Sequence, residues 1–350
     1  MGEYKRIIIS RTDSIGDVIL TLPLAGMIKK TLAGTHITFL GRSYTAAVVA
    51  ACEHIDDFLN WDEISASDEE TQIKAFRDSR TDIIIHVFPV KEIASLAGKA
   101  GIRQRLGTTN RWYHWLFCNK LVRLSRRRSS LHEAQLNIRL ARSLTGIDIV
   151  PLDEIGTLYG LNKPGVPEMT FAQMIDPGRF NIILHPKSKG SAREWGPGNF
   201  KKLVEILPPD QYKIFVTGTA EEGNLLRESG LTDHPAVTDL CGRMSLDGLI
   251  SFIAACNGLV AASTGPLHLA AALGICAIGI YPPIRPMHPG RWAPLGPKAA
   301  YLAIDKSCND CRKTMDCHCM REISPEDVKM LIEDHPCRPP ETVNTTGKNL

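Results

Sequence analysis

The sequence predicts an α/β architecture: two doubly wound domains, each a parallel sheet covered by helices on both faces, with a cleft between them. Three observations lead there. Short, continuously apolar runs rich in β-branched residues alternate with segments of helical periodicity, the pattern of parallel strands buried on both faces. The alternation restarts in the second half of the chain. The length of 350 residues, with 43% hydrophobic and 23% charged residues, suits two domains that each bury a core.

In chain order, Arg6–Ser10 is a buried-type strand, followed by Ile15, Val18, Ile19 and Leu22 at helical spacing. His36–Leu40 is a second strand, and Asp82–Phe88 another after a polar helix over Asp68–Ser79. The stretch Tyr159–Gly178 carries Gly160, Pro164, Gly165, Pro167, Pro177 and Gly178 with little periodicity, and marks a boundary. Beyond it come strands at Asn181–His185, Lys213–Gly218, Gly258–Ala262, Ile275–Tyr281 and Tyr301–Ile304. Helices are expected at Gly198–Leu207, Ser245–Cys256 and Pro266–Leu273. Ser324-Pro325-Glu326 combines an N-cap, a proline in the first turn and an early acid. The expected division is an N-terminal domain over 1–165, a C-terminal domain over 166–335 and a disordered polar tail over 336–350.

Lys and Arg total 41 against 38 Asp and Glu, a balance that argues against bulk electrostatic binding of nucleic acid but leaves room for a local basic patch. The apolar run in MGEYKRIIIS is too short for a secretory signal. The weakly polar stretch Leu259–Pro283 is interrupted by Ser-Thr-Gly-Pro, Gly274 and Gly279, and reads as strand, turn, helix, strand rather than a membrane span. A cytoplasmic location is expected, and with it ten cysteines as reduced thiols or metal ligands.

Three loops follow strands at the ends where open α/β sheets bind ligands. In RTDSIGDVILTLP, Ser14 and Gly16 shape the first turn and Asp17 sits at the mouth of a helix, as a base or simply as a helix-start acid. In STGPLHLAAALG, small residues open a helix, and the free N–H groups at Thr264, Gly265 and Leu267 make an anion site. Pro266 lies in the first turn, and His268 lies one turn in. In HPKSKGSAREW, Lys187, Ser188, Lys189 and Arg193 supply donors and charge for a diphosphate. A helix cap at Thr264 and a solvated basic loop are the plainer readings. The G-x-G-x-x-G, Walker and G-x-S-x-G fingerprints are all missing from the sequence, which weakens nicotinamide enzymes, P-loop ATPases and α/β hydrolases.

Taken together, RTDSIGDVILTLPL, LHPKSKGSAREWGPGNFKKLVEIL and GRMSLDGLISFIAACNGLVAASTGPLHLAAALG resemble bacterial glycosyltransferase family 9, the ADP-heptose:lipopolysaccharide heptosyltransferases. The resemblance implies a GT-B architecture with two Rossmann-like domains, the N-terminal one binding acceptor and the C-terminal one the nucleotide sugar. It implies inverting, metal-independent transfer of a heptose from ADP-heptose to the inner core of a lipid A-linked, Kdo-containing acceptor. The donor is then a substrate and no cofactor is required. It also implies Asp17 as the catalytic base. Lys187, Ser188 and Arg193, with Thr264, Gly265 and His268, hold the diphosphate. Met244 lines the adenine, and Glu222 contacts the ribose unless Glu221 is the equivalent acid. The family usually has an acid or asparagine where this chain has Ser263, which bears on donor orientation. Another nucleotide-sugar donor, and an epimerase of the same architecture, remain alternatives.

Two segments stand apart. CNDCRKTMDCHCM brings Cys308, Cys311, Cys317, His318 and Cys319 within twelve residues; this is either a structural zinc site or a set of reduced thiols. Arg111–Leu131 mixes Trp112, Tyr113, Trp115 and Phe117 with Lys120, Arg123, Arg126, Arg127 and Arg128. It suits an acidic acceptor, contacted through Arg123, Arg126 and Arg127, or the headgroups of an inner-membrane surface; packed aromatics and solvated arginines would serve equally. His132-Glu133 reads as a helix start. A zinc-bearing nucleic-acid-binding protein is the rival from a different class, expected to bind with steep salt dependence.

Overall fold

The computed structural model describes residues 5–126, 128–285, 287–306, 308 and 317–334. Two six-stranded sheets account for its framework. The first contains β1 (Arg6–Ser10), β2 (His36–Gly41), β3 (Asp57–Asn60), β4 (Ile83–His86), β5 (Gln104–Thr108) and β6 (Lys120–Val122), in the order β3-β2-β1-β4-β5-β6. The second contains β7 (Phe180–His185), β8 (Tyr212–Val216), β9 (Val237–Asp239), β10 (Gly258–Ala262), β11 (Cys276–Tyr281) and β12 (Ala299–Ala303), in the order β12-β11-β10-β7-β8-β9. Every pairing is parallel. Both sheets have the same doubly wound topology, so each has a switch point beside its first strand, between β1 and β4 and between β7 and β10. There the connections leave in opposite directions and open a crevice.

The central strands explain the order. RIIIS, IIIH, FNIILH and GLVAA are buried along nearly their whole length, and residues this apolar are stable only with helices on both faces. The expected strands are present, each within a few residues of its expected bounds. The ones that sequence pattern did not mark are β3, β6 and β9 at sheet edges and the polar β5 (QRLGT). Three of these four are edge strands, half-exposed, and need no apolar run.

The expected helices form at Glu69–Asp78, Pro197–Ile206, Leu246–Ala255, Gly265–Ala272 and Pro325–Asp334. Asp68 and Ser245 cap their helices through their side chains, as N-caps should. The first helical pattern is broken in two, Ile15–Ile19 and Leu22–Thr31. One hydrophobic cluster joins Ile7, Val18 and Ile19 of the first unit to Leu267, Leu269 and Tyr281 of the second, so the two sheets share packed surface. The tail expected to be disordered lies outside the described residues.

Candidate active site

The first strand delivers its loop to the crevice. Ser14, extended at φ −67° and ψ 159°, is the N-cap of Ile15–Ile19, and Asp17 occupies the first turn. The Ser14 hydroxyl donates to one Asp17 oxygen at 2.6 Å, and the Arg11 guanidinium pairs with the other. Asp17 is thus oriented by two donors and keeps a fifth of its side chain open. Arg11 is buried and also meets Asp13 at 2.5 Å and Glu133 at 3.4 Å. Burial disfavours its charge, but Asp17, Asp13 and Glu133 outweigh this and hold it firmly protonated. Burial, aided by the Asp17 charge, outweighs Arg11 at Asp13 and pushes that carboxyl up to about 6.

The second sheet brings two loops from its own switch point. After β10, Thr264 is extended at φ −125°, and the helix Gly265–Ala272 begins at the crevice, which Thr264, Gly265 and Pro266 line. Among the described residues, Thr264 Oγ1 and His268 Nδ1 are buried with no protein hydrogen-bond partner, although both residues line the cleft. After β7, Lys187 and Ser188 are not idle donors. Glu194 accepts from Lys187 Nζ at 2.6 Å, from Ser188 N at 3.0 Å and from Ser188 Oγ at 3.1 Å. Three cations in seven residues repel one another, and this carboxylate offsets one of the three charges, that of Lys187. Sequence inspection passed over Glu194.

The two halves meet through glycines. A Cβ on Gly265 would lie 3.0 Å from Ile15 Cγ2, and one on Gly16 would lie 3.2 Å from His268 Cδ2. Without side chains at these points the two helix starts approach each other directly. The resulting cleft, about 870 Å³, is lined by Ser14, Gly16 and Asp17 on one side and by Lys187, Ser188, Arg193, Met244, Ser263 and His268 on the other. Pro266 lines it too, whereas Leu267 is fully buried in the core. Asp17 and Glu222 are the carboxylates lining it among the described residues. Glu222 is largely committed elsewhere: it accepts from Thr219 N at 2.8 Å as a capping box and from Lys189 N at 3.2 Å. Glu221, its alternative, is exposed beside the Lys187–Glu194 loop. Ser263 lines the cleft, and the Tyr281 hydroxyl behind it donates to the Trp292 carbonyl.

Behind Asp17 lies an ion cluster that the sequence did not announce. Glu133, 1% exposed, accepts from Arg126 Nε at 2.8 Å, from Arg11, and from Arg291 of the second unit. Burial pushes its carboxyl up, but Arg126, Arg11 and Arg291 prevail and hold it at about 2. Arg291 also donates to the Arg126 carbonyl, and His132 Nε2 meets the Ala293 carbonyl at 3.0 Å. His132-Glu133 does start a helix, with His132 as N-cap and Glu133 in its first turn, but Glu133 is also an interdomain anchor. Arg126, expected as an acceptor contact, instead serves Glu133, Asn137 and the Val87 carbonyl; it needs these partners because it is three-quarters buried. Arg123 is exposed, and Arg127 lies outside the described residues.

Of the cysteine cluster, Cys311 lies outside the described residues, while Cys317 and Cys319 are buried in the second core. Among the described residues no group of three or more His, Cys, Asp or Glu is placed to hold a metal ion. Cys276 is disulfide-bonded, contrary to the expectation that the cysteines are reduced thiols or metal ligands; spacing in the sequence does not reveal which sulfurs approach in the fold. No helix among the described residues is long and apolar enough to cross a membrane.

Burial also sets the pH response. It pushes His86 and His268 down to about 3 and His132 and His185 to about 4. These rings are neutral in the fold, whereas the unfolded chain takes up their protons near 6.5. Stability is therefore full above about pH 6.5 and falls as pH drops towards 4. Thermal unfolding followed from pH 7 to pH 5 is expected to show Tm fall by roughly 5–10 °C. A flat profile would contradict the buried, neutral state of these rings.

With this geometry established, relatives become informative. A family model described as Glycosyltransferase family 9 (heptosyltransferase) matches residues 73–319. A Haemophilus influenzae protein named "Putative glycosyltransferase" is 26% identical over 308 residues, covering 86% of this chain and 89% of its own. The Escherichia coli lipopolysaccharide heptosyltransferase 2 is 29% identical over 128 residues, about a third of either chain (35% and 36%). Among solved structures, a Veillonella parvula glycosyl transferase family 9 protein superposes with a TM-score of 0.77 at 21% identity, covering 95% of this chain and 98% of that one. The Escherichia coli ADP-heptose heptosyltransferase II superposes with a TM-score of 0.73 at 19% identity, covering 94% and 98%.

Proposed function

Because the chain belongs to glycosyltransferase family 9, we propose that it transfers a heptose from ADP-heptose to the inner core of a lipid A-linked, Kdo-containing acceptor in lipopolysaccharide biosynthesis. Residues 1–165 hold the acceptor and residues 166–335 the nucleotide sugar. The observation that carries this reading is the shared cleft, which Asp17 lines together with the start of the helix Gly265–Ala272 from the opposite domain.

The chemistry follows from that juxtaposition. The acceptor hydroxyl oxygen attacks the anomeric carbon while the bond from that carbon to the diphosphate oxygen breaks, inverting the centre. Asp17 takes the hydroxyl proton as it becomes acidic; Ser14 and Arg11 keep the carboxylate aimed. Negative charge grows on the departing ADP. The N–H groups of Thr264, Gly265 and Leu267, with Lys187 and Arg193, stabilise it without requiring a metal ion. Lys187 must exchange Glu194 for the diphosphate, a like-for-like replacement of one anion by another. Met244 and its apolar neighbours Leu246 and Leu249, which line the same cleft, provide the wall for adenine. Closure about the crevice excludes the water that would otherwise hydrolyse the donor. Acting on a lipid-linked acceptor, the protein works at the cytoplasmic face of the inner membrane.

Thermal-shift and calorimetric titration with ADP, UDP and GDP, run in EDTA, tests the donor assignment. ADP is expected to bind at least about tenfold more tightly than the others, ~1.4 kcal/mol. Equal affinity, or a preference for UDP or GDP, would point to another nucleotide sugar, and a strict metal requirement would contradict stabilisation by protein groups alone.

A further inference from the structure

We propose that the exposed helix Trp112–Phe117 and its basic surroundings form the face on which this protein rests on an anionic phospholipid bilayer. Charge is strongly concentrated there. Residues 87–132 contain ten Lys or Arg and one acid, Glu92, whereas the other 304 residues contain 31 Lys or Arg and 37 acids. The remainder of the chain is net negative, so an anionic surface attracts this segment, repels the rest and orients the molecule.

The apolar component stands on the same segment. Trp112, Trp115 and Leu116 are 64%, 63% and 67% exposed, and their i, i+3, i+4 spacing places them on one helical face. That face is rigidly mounted. The Tyr113 hydroxyl donates to the Pro89 carbonyl at 2.9 Å, buried His114 accepts from Thr108 N at 2.9 Å, and the Phe117 carbonyl accepts from Arg105 Nε at 2.6 Å. Lys91 Nζ lies 5.2 Å from the Trp112 ring centroid. Lys91, Arg103, Arg111, Lys120 and Arg123 are exposed and have no ion-pair partner among the described residues. Indoles and a leucine projecting among cations match the bilayer interface, where rings settle at headgroup depth and the cations meet phosphate. A nucleic-acid surface would use the charge but leave Leu116 in water.

Position adds a reason. Trp112 follows the carboxyl end of β5, and Lys91 follows that of β4, the edge of the sheet that opens on the Asp17 crevice. A bilayer held there would present a lipid-linked acceptor to the cleft, a consequence that rests on the function proposed above; the binding surface itself does not.

Co-sedimentation with vesicles tests it, using neutral phosphatidylcholine alone or with about one-quarter phosphatidylglycerol. The full chain is expected to bind the anionic vesicles, weakly in high salt, and to leave neutral ones unbound. The triple variant W112A/W115A/L116A and the double variant K91E/R111E are each expected to lose binding by about tenfold or more, with Tm and nucleotide affinity unchanged. Equal binding to both vesicle types, undiminished binding by either variant, or retention of RNA in place of vesicles would overturn the proposal. Transfer to a short water-soluble acceptor separates the two readings. Failure of the wild type in that assay counts against the function and leaves vesicle binding readable. Failure of only the triple variant places the patch in acceptor recognition and overturns the membrane assignment.

Discussion

Replacing Asp17 with asparagine is expected to lower kcat by about 10²–10⁴-fold while nucleotide affinity and Tm stay close to wild type. Asparagine keeps the shape of the side chain and a partner for Ser14, but removes the proton acceptor. Two carboxylates line the cleft among the described residues, and Glu222 already spends its oxygens on Thr219 N and Lys189 N. Asp13 is close by, but its carboxylate is held by Arg11 and it does not line the cleft. Steady-state kinetics with parallel ADP titration checks this. A rate within threefold of wild type, in the sense of about 0.7 kcal/mol or less of lost transition-state stabilisation, would remove Asp17 from the reaction.

The second large effect is on stability. Replacing Glu133 with alanine should destabilise the protein by about 3–5 kcal/mol, because three guanidiniums lose the carboxylate they share in a buried site. Arg11 retains Asp13 and Asp17, but Arg291 is left with the Arg126 carbonyl. Arg291 comes from the opposite domain, so the loss falls on the interdomain contact as well as on local packing. Urea denaturation of wild type and variant measures it. A change below about 1 kcal/mol, the range of surface ion pairs, would show that the cluster does not bind the domains together.

What could be read in the sequence was local. β1 and β10 have the bounds their apolar runs suggest, since a buried parallel strand imprints every residue. That Asp17, Thr264 and Lys187 meet at one cleft was also legible, because the loop or helix start that carries each of them follows such a strand, where open sheets form their crevice. The edge strands were not, since β3, β6 and β9 are short and half-polar. Nor was the ion cluster: Glu133 is 122 residues from Arg11 and 158 from Arg291, and no local pattern links them. The loop 187–193 looked like a set of waiting cations because Glu194, just beyond it, turns back on the loop only once the chain folds. The aromatic segment left inward and outward packing undecided; backbone geometry chose both, burying His114 and exposing Trp112 and Trp115.

A crystal structure of the protein soaked with ADP would test the central claim most directly. The diphosphate is expected on the N–H groups that open Gly265–Ala272, with Lys187 turned from Glu194 to meet it and Asp17 facing the terminal phosphate across an open gap. ADP seated away from that helix start, or Asp17 screened from the phosphate by intervening protein, would contradict it.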